Sequence, residues 1–488
     1  MEAIKSGFKK RKSEIGILLG IAIALIVYFI PIPEASLSRG GHITLALTLM
    51  TVVFWAFQVM QPAFTSGIFA ALLIIFGVIP AVPATETAAG ISAQVATASV
   101  VFKSWTGSTM WLIVGAYLIA TAVKTSGLGE RIAYNYLLRF VRSYKSIIIG
   151  IFVLTLVLSL LIPHPWPRAL LIMSVMAVII QSSNVPKSDA IKIGFTVFAA
   201  SVPVSLVFLT GDAVINPLAA NYAPQGVNFV QWLIYMGPPA AVASILTVIL
   251  ILVLFKPTQE ITINKDEVRQ KIASIGKMTG VEIRAAVWLV IAIVLWMTDS
   301  VHGIDIGWVT LIVAMGMALP VVGILKPKDW AAVPVQVLVF LTAAIAIGTV
   351  GGATGMNAYL AGALQGLFSE PVLGNMFLFA LVTTVVAVIL HMLLGSVIAV
   401  MGVAIPTILA ITSAQGMDPL VPTFIVYMAI ASHYVFPFQH LNILVGASEE
   451  TGGYSQKETI KLGLPLVIVV FVVTVGIMIP WFAVTGLL

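Results

Sequence analysis

Arg168 is the residue whose type and position most strongly suggest chemistry, because it lies inside an apolar stretch that runs from 146 to 181. An arginine at the centre of a bilayer costs about 2.5–3.5 kcal/mol on insertion scales, so it calls for a counter-charge or a water-filled cavity. Its planar guanidinium can hold a carboxylate or phosphate with two hydrogen bonds. The pattern predicts a site for a small anion, and a permanent internal pair between Arg168 and Asp212 is the alternative.

Further polar residues mark two interruptions in apolar helices. Asp212, beside Thr210, is the acid that we place well inside an apolar span, and both are candidates for a coupling group or charge partner of the anion site. Asn216 and Asn442 stand beside the two interruptions at matching positions. They either hydrogen-bond a substrate or tie unwound backbone together.

Four histidines fall in apolar or interrupted segments: His164, His391, His433 and His440. Their spacing is not that of a zinc motif and no carboxylate cluster accompanies them, so we predict no metal site and no cofactor. We predict instead that His164, His391, His440 and the neighbouring Gln439 line a polar cavity and contact a substrate.

The composition places these residues in a membrane. The 488 residues are 60% hydrophobic and 9% charged, whereas soluble domains carry about 25% charged residues. Long apolar stretches predict helices rather than the short alternating segments of a barrel. The chain has no cysteine, which excludes disulfides, cysteine-bound zinc and thiol nucleophiles. The predicted fold class is an all-α polytopic membrane protein, with only lipid and small molecules as expected partners and no nucleic acid.

Two apolar stretches, 146–181 and 372–414, are too long for a single span. Pro163 to Pro167 interrupt the first and His391 to Ser396 the second, so each predicts a re-entrant helical hairpin. About 11 transmembrane helices are predicted besides these hairpins, near 15–30, 42–60, 64–80, 106–123, 190–213, 231–255, 284–298, 306–324, 334–353, 420–440 and 462–485.

The basic residues indicate an orientation. With the N-terminus in the cytoplasm, 22 of the 25 lysines and arginines fall on the cytoplasmic side, as the positive-inside rule requires. The C-terminus is then outside, and the first hairpin starts from inside and the second from outside. We expect the membrane to be a bacterial plasma membrane.

The polar stretch from 256 to 283 separates two halves of similar pattern. Gly127 matches Gly355 at an offset of 228, and Asn216 matches Asn442 at an offset of 226. Because the two hairpins start from opposite sides, the repeat is inverted, which is the architecture of secondary transporters. The predicted parts are N-terminal scaffold helices (1–105), a first repeat (106–255), the cytoplasmic linker (256–283), further scaffold helices (284–330) and a second repeat (331–488).

The chain resembles the divalent anion/sodium symporters, and within them the 2-oxoglutarate/malate translocators and citrate/succinate antiporters. The residues Thr210-Gly211-Asp212-Ala213-Val214-Ile215-Asn216-Pro217-Leu218-Ala219 are similar to the family's broken-helix motif, and Pro163 to Arg168 lie where the translocators have Pro-Ser-Asn-Thr-Ala-Arg. The resemblance implies di- or tricarboxylate substrates that bind at the hairpin tips, a homodimer, and an elevator movement of a hairpin-bearing domain past a fixed scaffold.

The sequence departs from the family at both tips. His164-Pro165-Trp166 replaces Ser-Asn-Thr at the first tip, and Ser396 alone remains recognisable at the second. We carry the substrate contacts over to Trp166 and Ser396. Proline and tryptophan offer no oxygen ligands for sodium, whereas Arg168 matches the translocators' arginine and supplies a fixed positive charge. An empty carrier with that charge would return slowly across the membrane.

The prediction is therefore a sodium-independent exchanger of C4/C5 dicarboxylates such as 2-oxoglutarate, malate and succinate. A sodium- or proton-coupled symporter of the same family and an anion channel are the alternatives. An enzyme is not expected, because Asp212 with His164 or His440 lacks a recognisable nucleophile.

Overall fold

The computed structural model describes residues 2–81, 92–183, 185–223, 226–261, 264–448 and 450–488, with the side chains of residues 2–10 left aside. All regular structure in these ranges is helical. The described residues include ten helices that are long and apolar enough to cross a membrane, and four shorter apolar helices. The predicted all-α polytopic membrane fold is confirmed.

The chain groups into two compact units. The first unit comprises Met1–Gly107 and Pro334–Tyr427, and the second comprises Ser108–Val333 and Met428–Leu488. Compactness does not tell which part of a protein moves, so the predicted division into scaffold helices and transport repeats stays a prediction.

The described residues of the first half of the chain include thirteen α-helices. They are α1 (Glu2–Phe29), α2 (Arg39–Phe57), α3 (Pro62–Phe76), α4 (Ala93–Val101), α5 (Lys103–Thr106), α6 (Ser108–Ser126), α7 (Leu128–Phe140), α8 (Tyr144–Ser159), α9 (Pro165–Ser182), α10 (Lys187–Val204), α11 (Ile215–Ala220), α12 (Phe229–Tyr235) and α13 (Gly237–Leu254).

The described part of the second half includes another thirteen. They are α14 (Asp266–Ile275), α15 (Gly280–Met297), α16 (Asp299–His302), α17 (Ile306–Gly316), α18 (Val335–Ala353), α19 (Met356–Leu364), α20 (Glu370–Leu373), α21 (Met376–Leu394), α22 (Val397–Thr412), α23 (Leu420–Ala431), α24 (Leu441–Gly446), α25 (Gln456–Phe471) and α26 (Ile479–Thr485), with a π-helical segment, Val472–Met478, between the last two.

Helical hairpins form at both predicted positions. In the second unit α8 packs against α9, and in the first unit α21 packs against α22. The first tip ends at α9, which begins with Pro165, a residue suited to the first turn of a helix. At the second tip Gly395 has φ +60° and Ser396 caps α22 by accepting a hydrogen bond from the backbone N–H of Ala399.

Helices occupy all the predicted spans, but some are shorter than the sequence suggested. The span predicted over 190–213 ends as an α-helix at Val204, and a short 3₁₀ helix, Leu209–Asp212, follows before α11. A side chain on Gly211 would collide with the backbone carbonyl of Ser205, so glycine permits the chain to turn back at this point. Similarly, α23 ends at Ala431 and α24 resumes at Leu441 after the 3₁₀ helix Pro437–Gln439.

The order of elements repeats between the two halves. Gly127 and Gly355 both have φ +82°, and each directly precedes a helix. This left-handed backbone conformation favours glycine. The helices α11 and α24 both have six residues and each follows a 3₁₀ helix, with Asn216 and Asn442 as their second residues. The local structure therefore matches at these two pairs of positions, and the inverted repeat itself stays a prediction.

The polar linker is fastened to the second unit by charged side chains. Arg131 on the amphipathic helix α7 donates two hydrogen bonds to Glu282, at 2.6 and 3.0 Å, and one to the carbonyl oxygen of Gly276 at 2.8 Å. The ammonium of Lys265 donates to the carbonyl oxygen of Leu138 at 2.6 Å. These bonds hold α7 beside the linker and the start of α15.

Candidate functional site

The first hairpin tip is organised by His164. Its Nδ1 accepts a hydrogen bond from the backbone N–H of Trp166 at 3.2 Å and so caps the start of α9. Because Nδ1 accepts, a neutral ring carries its proton on Nε2, which lies 2.6 Å from the hydroxyl of Tyr117 on α6. The imidazole is 4% exposed, whereas Trp166 is 39% exposed.

Arg168 is fully buried one turn into α9. Its Nη1 donates to the carbonyl oxygens of Ile162 and Gly211, both at 3.0 Å, and its Nη2 donates to the hydroxyl of Ser205 at 2.5 Å. The three acceptors come from the hairpin tip, the 3₁₀ helix and the end of α10. One guanidinium therefore joins three segments through oxygen atoms that carry no net charge.

Asp212 serves as a helix cap. Its Oδ1 accepts hydrogen bonds from the backbone N–H groups of Val214 and Ile215 at 3.0 and 3.3 Å, which satisfies the start of α11. The three ion pairs found among the described residues are Arg131–Glu282, Lys192–Asp189 and Arg269–Asp266. Arg168 and Asp212 make no direct salt bridge, but their buried charges still interact with each other, so the choice between an internal pair and an anion site stays a prediction.

The two equivalent asparagines differ in their contacts. The side-chain amide of Asn216 donates to the carbonyl oxygens of Ser205 and Phe208, both at 2.8 Å, and thus ties the unwound backbone together. Asn442 is 2% exposed, and its side-chain Nδ2 finds no hydrogen-bond partner in the described part of the chain. A buried unpaired donor costs about 1–3 kcal/mol, so this amide is suited to receive an acceptor from a ligand.

The break between α23 and α24 holds further polar groups. Gln439 accepts hydrogen bonds through Oε1 from the backbone N–H groups of Val435 and Phe436, both at 2.7 Å, and so stabilises the unwound segment. His440, at the position that precedes α24, is 6% exposed, and within the described residues neither of its ring nitrogens has a partner. His433 bonds through Nδ1 to the carbonyl oxygen of Ala429.

The second unit brings most of the predicted site residues together. The first break is the segment 205–214 between α10 and α11. The backbone N–H of Ala213 donates to the carbonyl oxygen of Pro163 at 3.0 Å, which joins the hairpin tip to this break. The helix α24 packs against both α9 and α10, which brings the second break to the same group of helices. His164, Trp166, Arg168, Thr210, Asp212, Asn216, Gln439, His440 and Asn442 all belong to this unit, whereas His391 and Ser396 belong to the first.

Sequence reasoning missed two residues of this site, Tyr117 and Ser205. Tyr117 forms a hydrogen bond with His164, which lies 47 residues further along the chain. No local sequence pattern in α6 indicates this pairing. Ser205 follows Pro203 at the end of a helix, a sequence signal that points to a break but not to an acceptor for Arg168. Thr210 was predicted as a coupling residue, and it is buried with no partner for its hydroxyl among the described residues.

The described residues contain no group of three or more His, Asp or Glu side chains that could hold a metal ion. The polar groups of this site are backbone carbonyls, hydroxyls, amides, imidazoles, one guanidinium and the carboxylate of Asp212. Such a set can hold a small polar anion by hydrogen bonds and charge, and it contains no recognisable nucleophile with its base.

Comparisons with known proteins cover the whole fold. Residues 11–488 match the model of the sodium:sulfate symporter transmembrane region. A membrane protein of Cupriavidus necator is 22% identical over 93% of this chain and 89% of its own length. Dicarboxylate transporter 1 of Arabidopsis thaliana chloroplasts and the putative malate transporter YflS of Bacillus subtilis are each 26% identical over 59% of this chain, and the match spans 51% and 59% of their lengths. The crystal structure of the Alcanivorax borkumensis YdaH transporter, which has an unusual topology, aligns with a TM-score of 0.54 at 13% identity, over 87% of this chain and 99% of that one.

Proposed function

Because the chain belongs to the family that shares the sodium:sulfate symporter transmembrane region, a family of membrane transporters and not enzymes, we propose that it exchanges C4/C5 dicarboxylates across the membrane without sodium. The relatives named dicarboxylate and malate transporters support the substrate class. The matched region covers about half to three fifths of the length of these relatives. The individual substrates 2-oxoglutarate, malate and succinate are therefore part of the proposal.

One observation carries the proposal: the fully buried guanidinium of Arg168 held by three neutral oxygens where the hairpin tip meets the first break. A hard monovalent cation takes the same kind of oxygen ligands. Arg168 therefore acts as a covalently tethered cation, and its charge cannot leave when the substrate leaves. Neutral dipoles compensate a buried charge only partly, so an anionic substrate stabilises the loaded site.

The tethered charge explains exchange rather than net uptake. Returning the empty carrier requires moving an incompletely compensated charge through a low-dielectric barrier. Returning it with a second dicarboxylate does not. We propose that the substrate binds near His440, Asn442 and Thr210 of the second unit, whose buried polar atoms have no hydrogen-bond partner among the described residues. The exposed side chain of Trp166 would line the same site. His391 and Ser396 of the second hairpin are proposed as further contacts.

The proposed assembly and movement follow the family resemblance. We propose a homodimer in a bacterial plasma membrane, with the N-terminus in the cytoplasm and the C-terminus outside. The proposed movement carries a hairpin-bearing transport domain past a fixed scaffold in the manner of an elevator. The distribution of basic residues supports the orientation.

The test is uptake of labelled 2-oxoglutarate into proteoliposomes that are either empty or preloaded with malate, with and without a sodium gradient. We expect uptake only into preloaded vesicles, with no dependence on sodium. Arg168→Ala should abolish exchange, and Arg168→Lys should reduce it strongly because an ammonium cannot span the two carbonyl acceptors and Ser205 as a planar fork does. Arg139→Ala, an exposed arginine on α7, is the matched control and should exchange normally.

Other outcomes would assign the rivals. Accumulation in empty vesicles on a sodium or proton gradient would make the protein a coupled symporter, and conductance without any counter-substrate would make it an anion channel. Full exchange by the Arg168→Ala variant would remove the tethered cation from the mechanism.

A further inference from the structure

The segment that follows α17 forms an apolar tip with an unusual backbone. Val321 has φ +72° and is 92% exposed, and Leu319 and Val322 beside it are 53% and 46% exposed. A β-branched residue at positive φ is a genuine outlier in protein structures. Here the surroundings fix the turn, because the carbonyl oxygen of Met317 accepts from the N–H groups of Ile324 and Leu325 at 2.6 and 2.8 Å.

The tip is also held from the side. The indole Nε1 of Trp288 donates to the carbonyl oxygen of Val322 at 3.1 Å, so the turn is a built feature that presents apolar side chains outward. Exposed apolar side chains on a fixed turn are stabilised by contact with acyl chains rather than with water.

A cavity of about 200 Å³ lies behind the tip, within the second unit. Its walls come from α6, the end of α17 and the segment that carries the 3₁₀ helix Pro327–Ala332. Six of the lining residues are apolar or aromatic and one is a lysine: Leu118, Met315, Ala318, Leu325, Pro327, Trp330 and Lys326. An apolar cavity with a cation at its edge matches an amphiphile with an anionic head.

The charges and the aromatic ring at this edge fit a lipid head group. Lys326 and Lys328 are exposed, and Trp330 is 50% exposed. Asp329 lies between Lys328 and Trp330 in the sequence. Its Oδ2 accepts a hydrogen bond from the backbone N–H of Lys326 at 2.7 Å, which holds this carboxylate oxygen at the turn. Tryptophan prefers the head-group level of a bilayer, and basic pockets between membrane helices bind anionic head groups.

We propose that residues 319–330 form a binding site for one anionic phospholipid. One acyl chain enters the cavity beside Leu118 and Met315, the phosphate lies against Lys326 and Lys328, and the apolar tip enters the surrounding acyl chains. None of the lining residues is a proposed substrate contact, and the site does not depend on the proposed transport function.

Quenching by brominated lipids tests the site. The protein is reconstituted with brominated phosphatidylglycerol or brominated phosphatidylcholine at equal mole fractions, and the signal of Trp330 is obtained as the difference between the unmodified chain and Trp330→Phe. We expect phosphatidylglycerol to occupy the site about tenfold more strongly than phosphatidylcholine, which is about 1.4 kcal/mol. Two lysines near a membrane surface contribute about 1 kcal/mol each toward anionic lipid, and the negative charge of Asp329 offsets part of this sum.

Matched variants decide between a specific site and general lipid contact. Lys326→Gln with Lys328→Gln should abolish the preference, whereas Lys271→Gln with Lys277→Gln, which removes two exposed charges from the linker, should leave it intact. Ala318→Leu should reduce quenching of Trp330 by both lipids because it fills the cavity. Equal quenching by the two lipids, or a preference that survives loss of Lys326 and Lys328, would overturn the proposal and leave ordinary annular contact.

Discussion

At the residue scale, the hydrogen bond between His164 and Tyr117 shows what long-range structure adds to a sequence. His164 was predicted to line a cavity because it lies in a proline-rich interruption. Its actual place is determined by two bonds, to the N–H of Trp166 and to the Tyr117 hydroxyl. The proline interruption is local and therefore visible in the sequence. The partner on α6 is not, because packing of distant helices selects it.

This pairing leads to a prediction about stability. Tyr117→Phe removes the hydroxyl that accepts from His164 Nε2–H and leaves a buried donor without a partner, which costs about 1–3 kcal/mol. We expect the thermal unfolding temperature in detergent to fall. Tyr28→Phe, at a site that is 45% exposed, is the control and should unfold at the original temperature. Equal unfolding temperatures for the two variants would contradict the assigned bond.

At the element scale, the sequence predicted where helices break better than how far they extend. Both hairpin tips were predicted correctly from Pro163 to Pro167 and from Gly395-Ser396, because proline and glycine restrict or free the backbone directly. The end of α10 at Val204 was not predicted. It depends on the return of the chain at Gly211 and on the bonds from Asn216 to Ser205 and Phe208, which no hydropathy pattern contains.

The repeat predicts equal effects at two distant glycines. Gly127 and Gly355 both have φ +82°, and no atom lies within 3.4 Å of an added Cβ at either site, so alanine would introduce backbone strain and little steric conflict. We expect Gly127→Ala and Gly355→Ala each to destabilise the protein by about 1–2 kcal/mol, measured by thermal denaturation. Gly362→Ala, inside α19 with open space around it, should instead be neutral or stabilising, because alanine favours a helix. Destabilisation at only one of the two repeat glycines would remove the structural equivalence of the two positions, and unchanged stability at both would contradict the expected backbone strain.

At the scale of the whole molecule, composition alone was sufficient to predict a polytopic helical membrane protein, since 9% charged residues cannot cover a soluble surface of this size. The site required more than composition. Arg168 was found because a charge inside an apolar stretch is conspicuous, whereas Ser205, which accepts from it, is an ordinary serine in the sequence. A buried charge can be recognised without a structure, but the neutral atoms that hold it cannot.

The orientation of the molecule gives the last prediction, and the absence of cysteine from the 488 residues makes it directly testable. If basic residues fix the topology, the linker lies in the cytoplasm and the second hairpin starts outside. Ser274 in α14 and Ser413 after α22 are both exposed and bond only to nearby carbonyl oxygens, so cysteine should be tolerated at either position. In intact cells a membrane-impermeant maleimide should label the Ser413→Cys variant and leave Ser274→Cys unlabelled until the membrane is permeabilised. The reverse labelling pattern would mean that the predicted orientation is wrong. Labelling of both variants from outside would mean that the two halves are not inverted with respect to each other. That result would also remove the structural basis of the proposed elevator movement.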